Sequence, residues 1–294
     1  MKWNKILLCA AVLSSFFVPV LAQNESPANQ QAIPGDWNQP FKPFRIIGNI
    51  YYVGTKNLAC YLIATPAGHI LLDTALEESA PIIRANIAAL GFNLKYIRII
   101  LSSHAHFDHV AGHAEMKRAT GAQVYATAAD AEVLESGGTK GFHPLTSYQP
   151  VKVDRIIKDR EMVRLGNVGL TAYLTPGHTE GNTTWVTTVE ENGRKYEVVF
   201  AGSMSINPGV RLVNYPAWPK IADVYAKSFQ TLKSLRADVF LGTHAPFFNM
   251  EAKVSRMQAE AQTNPFIDPE GYRSYIALFE KLYNEQLQRE RAGK

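Results

Sequence analysis

The 294-residue sequence predicts an α/β layered fold in which helices cover both outer faces of two packed sheets. Three observations lead there. From Ile50 onward, β-rich runs alternate with runs of helical periodicity. The chain is 46% hydrophobic and long enough for one large core or two small ones. No short-period repeat, low-complexity tract or charge block interrupts it.

Residues 1–22 read as a secretory signal peptide, with Lys2 and Lys5 as the positive start, a mostly apolar stretch over 6–21, and Val20-Leu21-Ala22 as a small-residue cleavage site. Ser14, Ser15 and Pro19 interrupt the apolar stretch, which falls short of the roughly 20 residues of a membrane span. A periplasmic protein without a membrane anchor is therefore expected. Loss of Lys2 and Lys5 leaves 28 basic against 26 acidic residues, which is no nucleic-acid footprint. Cys9 leaves with the signal, so Cys60 has no intrachain disulfide partner and reads as a buried, inert thiol in the apolar run 58–63.

Residues 23–45 form an extended strap carrying Pro27, Pro34, Pro40 and Pro43. Its aromatics Trp37, Phe41 and Phe44 are expected to pack onto the sandwich rather than reach over a cleft. Strands are predicted over 50–53, 58–64, 69–73, 97–102, 123–126, 170–175, 183–189, 198–201 and 239–242. Helices are predicted over 79–90, 112–119, 128–135, 221–235, 251–260 and 271–291. Gly193 marks a β-hairpin. The stretch 137–150 holds Gly137, Gly138, Gly141, Pro144 and Pro150, and so cannot be regular structure. Phe142, Leu145 and Tyr148 within it either line a substrate cleft or fold over the core.

The strand 97–102 runs through Ser103 into His104-Ala105-His106-Phe107-Asp108-His109, four potential metal ligands in six residues. A site just past a strand end is the usual arrangement in α/β folds. Imidazoles clustered this tightly would repel one another if protonated, so metal ligation is the stronger reading. Zinc suits this donor set of imidazole nitrogens and a carboxylate. One ion cannot take all four residues without strain. His104 and His106 alternate along an extended segment and can face one ion, while Asp108 and His109, past a turn, reach a second. Each ion then lacks one ligand. His178, in Thr175-Pro176-Gly177-His178-Thr179, and His244, in Leu241-Gly242-Thr243-His244-Ala245-Pro246, both follow strands at tight turns and can supply it. His69 reads as a surface strand residue, His113 as a helix-start residue and His143 as a loop residue.

H-x-H-x-D-H with a later P-G-H-T and G-T-H is similar to the metallo-β-lactamase superfamily, whose fold is a four-layer αβ/βα sandwich with a dinuclear zinc site on one edge. The resemblance runs from about Trp37 to the end and makes 46–294 the catalytic domain. It implies two Zn²⁺ per chain, the first held by His104, His106 and His178, the second by Asp108, His109 and His244. Asp108 is then the catalytic residue as well as a ligand. In Phe200-Ala201-Gly202-Ser203-Met204-Ser205, glyoxalase II, lactonase and RNA-processing members carry a metal-bridging Asp, and the first two subclasses of class B β-lactamases a Cys. Ser203 resembles the third subclass. The stretch 40–54, the Gly-Gly at 137 and Asp154-Arg155-Ile156-Ile157 agree.

That resemblance implies hydrolysis of the β-lactam amide of penicillins, cephalosporins and carbapenems by a zinc-bound hydroxide, giving antibiotic resistance. Ser205 is expected to bind the substrate carboxylate and Ser203 a metal-bound water, neither acting as a nucleophile. Some members of the subclass have an oxyanion-assisting Tyr where this chain has Val210, which leaves Asn207 or Arg211 as the substitute. The alternatives are an exported lactonase or thioesterase of the same superfamily and a non-catalytic zinc-binding protein. A monomer is expected.

Overall fold

The computed structural model describes residues 35, 37–259 and 263–293. The signal predicted over 1–22 and most of the strap before Trp37 lie outside the described residues. Seven strands form one sheet in chain order: β1 (Phe44–Ile47), β2 (Ile50–Tyr52), β3 (Tyr61–Thr65), β4 (Gly68–Leu72), β5 (Ile97–Leu101), β6 (Gln123–Thr127) and β7 (Arg155–Ile157). Pairing is antiparallel from β1 to β4 and parallel from β4 to β7. The second sheet holds β8 (Met162–Leu165), β9 (Val168–Leu174), β10 (Thr183–Glu191), β11 (Arg194–Ala201) and β12 (Val239–Gly242) in the order β12-β11-β10-β9-β8, with only β11 and β12 parallel.

Parallel neighbours need a crossover, and helices supply it. α1 (Ala80–Ala89) links β4 to β5, and α2 (Phe107–Val110) with α3 (His113–Thr120) links β5 to β6. α4 (Ala128–Glu135) follows β6, α5 (Ile221–Ser234) joins β11 to β12, and α6 (Met250–Ala259) and α7 (Pro269–Arg291) end the chain. One buried cluster joins Ile63, Ile70 and Ile99 of the first sheet to Leu170, Trp185 and Phe200 of the second, and continues to Tyr225, Phe229 and Tyr272 of α5 and α7. The other joins Leu62, Leu71, Ile100 and Val124 to Ile83, Ile87, Met116 and Leu134 of α1, α3 and α4. The two sheets thus pack face to face, and helices cover their outer sides. This is the expected four-layer sandwich.

The nine predicted strands and six predicted helices all form, with ends shifted by a few residues. β1, β7, β8 and α2 were not predicted. All four are short, and β1, β7 and β8 sit at sheet edges, where burial imposes little periodicity. His69 overturns its reading as a surface residue: it is 8% exposed in β4, its ring 4.9 Å from Phe92. β4 is buried along its whole length, because it lies inside the sheet under α1. Cys60 is buried and free, as expected.

Three buried aromatic side chains pin the carbonyls where strands end. Trp185 Nε1 donates to Ser102 (2.9 Å), Tyr61 Oη to Gly242 (2.6 Å) and Tyr275 Oη to Gly202 (2.9 Å). The Thr183 amide donates to the Ser103 carbonyl (2.8 Å), tying the two sheets together at the same edge. Residues 104, 203 and 244 each lie within two positions of a pinned carbonyl, so the chemistry-bearing loops start from fixed points.

Candidate metal centre

His104 to His106 leave β5 as extended chain, and His106 is the N-cap of α2, whose single turn carries Asp108 and His109. His178 stands after Gly177, whose φ of 145° only glycine adopts freely, and a Cβ there would lie 2.7 Å from the Tyr225 ring. His244 follows β12. The structure brings all six predicted ligands together, five of them buried and His244 nearly so.

Two groups converge within it. Ligand atoms of His104, His106 and His178 lie within 4.8 Å of one another, and so do those of His104, Asp108 and His109. His244 joins the second group through Asp108 Oδ2, which stands 3.4 Å from His244 Nε2 and 3.2 Å from His109 Nε2. Hydrogen bonds select which nitrogen is free. The Ser205 carbonyl, 2.7 Å away, can only accept, so His178 carries its proton on Nδ1 and turns Nε2 inward. Asn57 Oδ1 does the same for His244 Nδ1 (2.9 Å), and Ser103 Oγ sits at His104 Nδ1 (3.2 Å). His106 Nδ1 then faces His178 Nε2 at 3.1 Å.

These residues fit cations. His104 Nε2 is buried with no hydrogen-bond partner among the described residues, and neither His109 nitrogen makes a well-aligned bond. Such orphaned atoms are costly unless something else takes their lone pairs. Burial, with the neighbouring imidazoles, pushes His104 and His106 well below the usual histidine value, and burial carries His178 down to about 4. These three are neutral at physiological pH, as ligation requires. Burial opposes ionisation of Asp108, yet His109 and His244 hold its carboxyl well below the usual carboxylate range. Burial likewise opposes charging of His109, and Asp108 and Asp73 outweigh it to raise that imidazole.

The sequence reading missed the residues that orient the ligands. Asp73, in the left-handed region at φ 61°, accepts from the Ser103 amide (2.7 Å) and lies 3.7 Å from His109 Nδ1. Its place at the end of a predicted strand was the available signal. Nothing in the sequence pattern marks Asn57. His113 starts α3 as expected and is held by Thr74 (2.7 Å) and Ser102 (3.0 Å). Ser203 is buried, its hydroxyl 2.8 Å from that of Thr243, while Ser205 Oγ lies 3.3 Å from His178 Nδ1. Asn207 Nδ2 donates to the His178 carbonyl (3.1 Å). Arg211 is exposed and donates to the carbonyls of Val213 and Asn214, and Val210 is buried.

All three strap aromatics pack onto the sandwich, as expected: Phe41 and Phe44 on Tyr52, and Trp37 against the second buried cluster, where its ring lies 6.2 Å from Phe107 and 5.4 Å from His244. The 137–150 loop folds over the core and borders the site. Tyr148 is buried, and together with Phe142, His143 and Leu145 it lines a small cavity beside His106. Phe142 also meets Trp218 at 4.8 Å.

A family model for the metallo-beta-lactamase superfamily matches residues 54–244. The native FEZ-1 metallo-beta-lactamase from Legionella gormanii is 43% identical, with a TM-score of 0.84 over 86% of this chain and 98% of that one. BJP-1, a subclass B3 metallo-beta-lactamase of Bradyrhizobium japonicum, is 40% identical, with a TM-score of 0.82 over 88% and 98%. Among curated sequences, a hydroxyacylglutathione hydrolase from Rhodospirillum rubrum is 30% identical over 112 residues, 38% of this chain and 35% of that protein. The match thus spans about a third of that relative's length.

Proposed function

The chain belongs to the metallo-beta-lactamase superfamily and is a hydrolase of that fold, and from this premise we propose that it is a two-zinc β-lactamase opening the amide of penicillins, cephalosporins and carbapenems. The observation that carries the reading is position 203. The two ligand groups meet at His104, and among the described residues no carboxylate or thiolate joins them from the β11 end, where Ser203 turns to Thr243 instead. Solved neighbours that include subclass B3 metallo-beta-lactamases support it along most of the chain.

His104, His106 and His178 would hold one ion and Asp108, His109 and His244 the other. When bound there, zinc makes water nucleophilic near neutral pH and polarises the scissile carbonyl. The protein's part is orientation and exclusion. Asp108 stays ionised, and its Oδ2 lies 3.2 Å from His109 Nε2 and 3.4 Å from His244 Nε2, close enough for the three to share one ion. Ser203 is buried with its hydroxyl on Thr243, and hydrolysis by a metal-activated water needs no acyl-enzyme on it. Ser205, half-buried at His178, is placed to receive the substrate carboxylate. Of the two residues that could stand in for a tyrosine at 210, Asn207 bonds the His178 carbonyl at the site, whereas Arg211 turns to the Val213 and Asn214 carbonyls. Trp37 and Phe107 form an apolar wall beside His244. Export through the 1–22 signal would put the enzyme in the periplasm, where such antibiotics act.

The partial match to hydroxyacylglutathione hydrolases supports a second reading, a thioesterase. Metal-loaded protein should be offered a carbapenem, an acyl-homoserine lactone and an S-acylglutathione in parallel. Chelator-sensitive opening of the carbapenem is the expected result. Turnover of the lactone or thioester alone would reject the β-lactamase reading.

A further inference from the structure

Gly137 and Gly138 follow α4 with left-handed φ of 65° and 81°. A Cβ on Gly137 would come within 2.5 Å of the Tyr148 carbonyl oxygen, and one on Gly138 within 2.7 Å of Tyr148 Cε1. The glycine pair therefore makes the space that Tyr148 occupies. The Tyr148 amide donates to the Gly137 carbonyl (3.0 Å), which closes the loop at its base. The buried side chain then reaches back, and Tyr148 Oη donates to the Ala105 carbonyl at 2.9 Å.

The other polar group of Ala105 is also held from a distance. Its amide faces the Asp130 carboxylate, a contact that favours the ionised carboxyl against burial. Asp130 is 2% exposed in the first turn of α4, its own amide fixed by Thr127 Oγ1 (3.2 Å). Gly181 presses on the carboxylate so closely that a Cβ would lie 2.2 Å from Asp130 Oδ1. Ala105 separates His104 from His106, and no strand pairing spans residues 104–106.

We propose that Tyr148 and Asp130 are positioning residues that clamp Ala105 from both sides, fix the spacing of His104 and His106, and so set the affinity of the three-histidine group for its cation. The inference rests on the metal-centre reading. It gives the Gly-Gly pair and the loop that follows a shared purpose: the loop base braces the ligand segment while its tip meets Trp218.

The test compares Tyr148→Phe with Tyr272→Phe. Tyr272 Oη makes an equivalent buried bond to the Leu232 carbonyl (2.9 Å), between α7 and α5. Zn²⁺ affinity is read by competition with a chromophoric chelator, and site geometry by the visible spectrum of the Co²⁺-loaded protein. Outer partners of metal ligands typically change affinity by about 10- to 100-fold. Tyr148→Phe should weaken Zn²⁺ binding at the three-histidine group about tenfold and shift the Co²⁺ bands. Tyr272→Phe should do neither, although both lose a buried hydrogen bond. Asp130→Asn, which keeps an acceptor for the Ala105 amide, should bind Zn²⁺ more tightly than Asp130→Ala. Equal Zn²⁺ affinity and unchanged Co²⁺ spectra in Tyr148→Phe and Tyr272→Phe would overturn the clamp alone. Failure of the parent protein to take up Zn²⁺ would overturn the metal-centre reading beneath it.

Discussion

Asp108 is the hinge of the site's electrostatics. It is buried among imidazoles and ionised because His109 and His244 oppose its desolvation. Removing it takes one oxygen ligand from the second group and leaves the His104, His106 and His178 group intact. Asp108→Ala should therefore retain about one zinc per chain by elemental analysis where the parent holds two, and a variant still holding two would contradict the assignment. Ser203 makes the opposite prediction. Its hydroxyl bonds Thr243, so Ser203→Ala should cost on the order of 1 kcal/mol in unfolding free energy and leave turnover within a few-fold. Loss of all turnover, measured with the metal content unchanged, would mean that the serine takes part in the chemistry.

At the scale of elements, what the sequence showed and what it hid follow one physical division. The ligands from His104 to His109 were legible because they are contiguous, and His178 and His244 because each sits at a Gly-containing turn after a strand. The layers were legible because buried sheets and amphipathic helices impose their own periods. What orients the ligands was not. Asn57 meets His244 across 187 residues, and Tyr148 meets Ala105 across 43, distances at which no local pattern survives. Asp130 adds a pH signature to α4. Burial raises its carboxyl from the ordinary 3.8 to about 7. With the folded value above the unfolded one, its contribution to stability is complete below about pH 3.8 and is lost as pH rises towards 7. Asp130→Asn abolishes that loss. Urea unfolding of the metal-free protein should show the variant gaining on the parent from pH 4 to 7, by up to about 4 kcal/mol, with no further change above. A difference that stayed level over that range would show that the carboxyl is not raised.

For the whole molecule, the sandwich acts as a frame that delivers loops from both sheets to one edge. The cross-sheet bond from Thr183 to Ser103 and the tyrosine and tryptophan bonds at the strand ends keep that edge in register. Buried neutral histidines make the frame sensitive to acid. Burial lowers His113 to about 3 and His178 to about 4, so their stabilising share is present above the ordinary histidine value of 6.5 and is lost as pH falls below it. Ligation also needs His178 neutral, so acid weakens the metal centre and the fold together. The central claim is that this edge, once loaded, opens β-lactams. The direct measurement is a titration of chelator-stripped protein with Zn²⁺ while carbapenem absorbance is followed at neutral pH. Ring opening should be absent without metal and rise to a plateau by about two equivalents. Protein shown by elemental analysis to carry two zinc ions, yet leaving the carbapenem intact, would contradict the account.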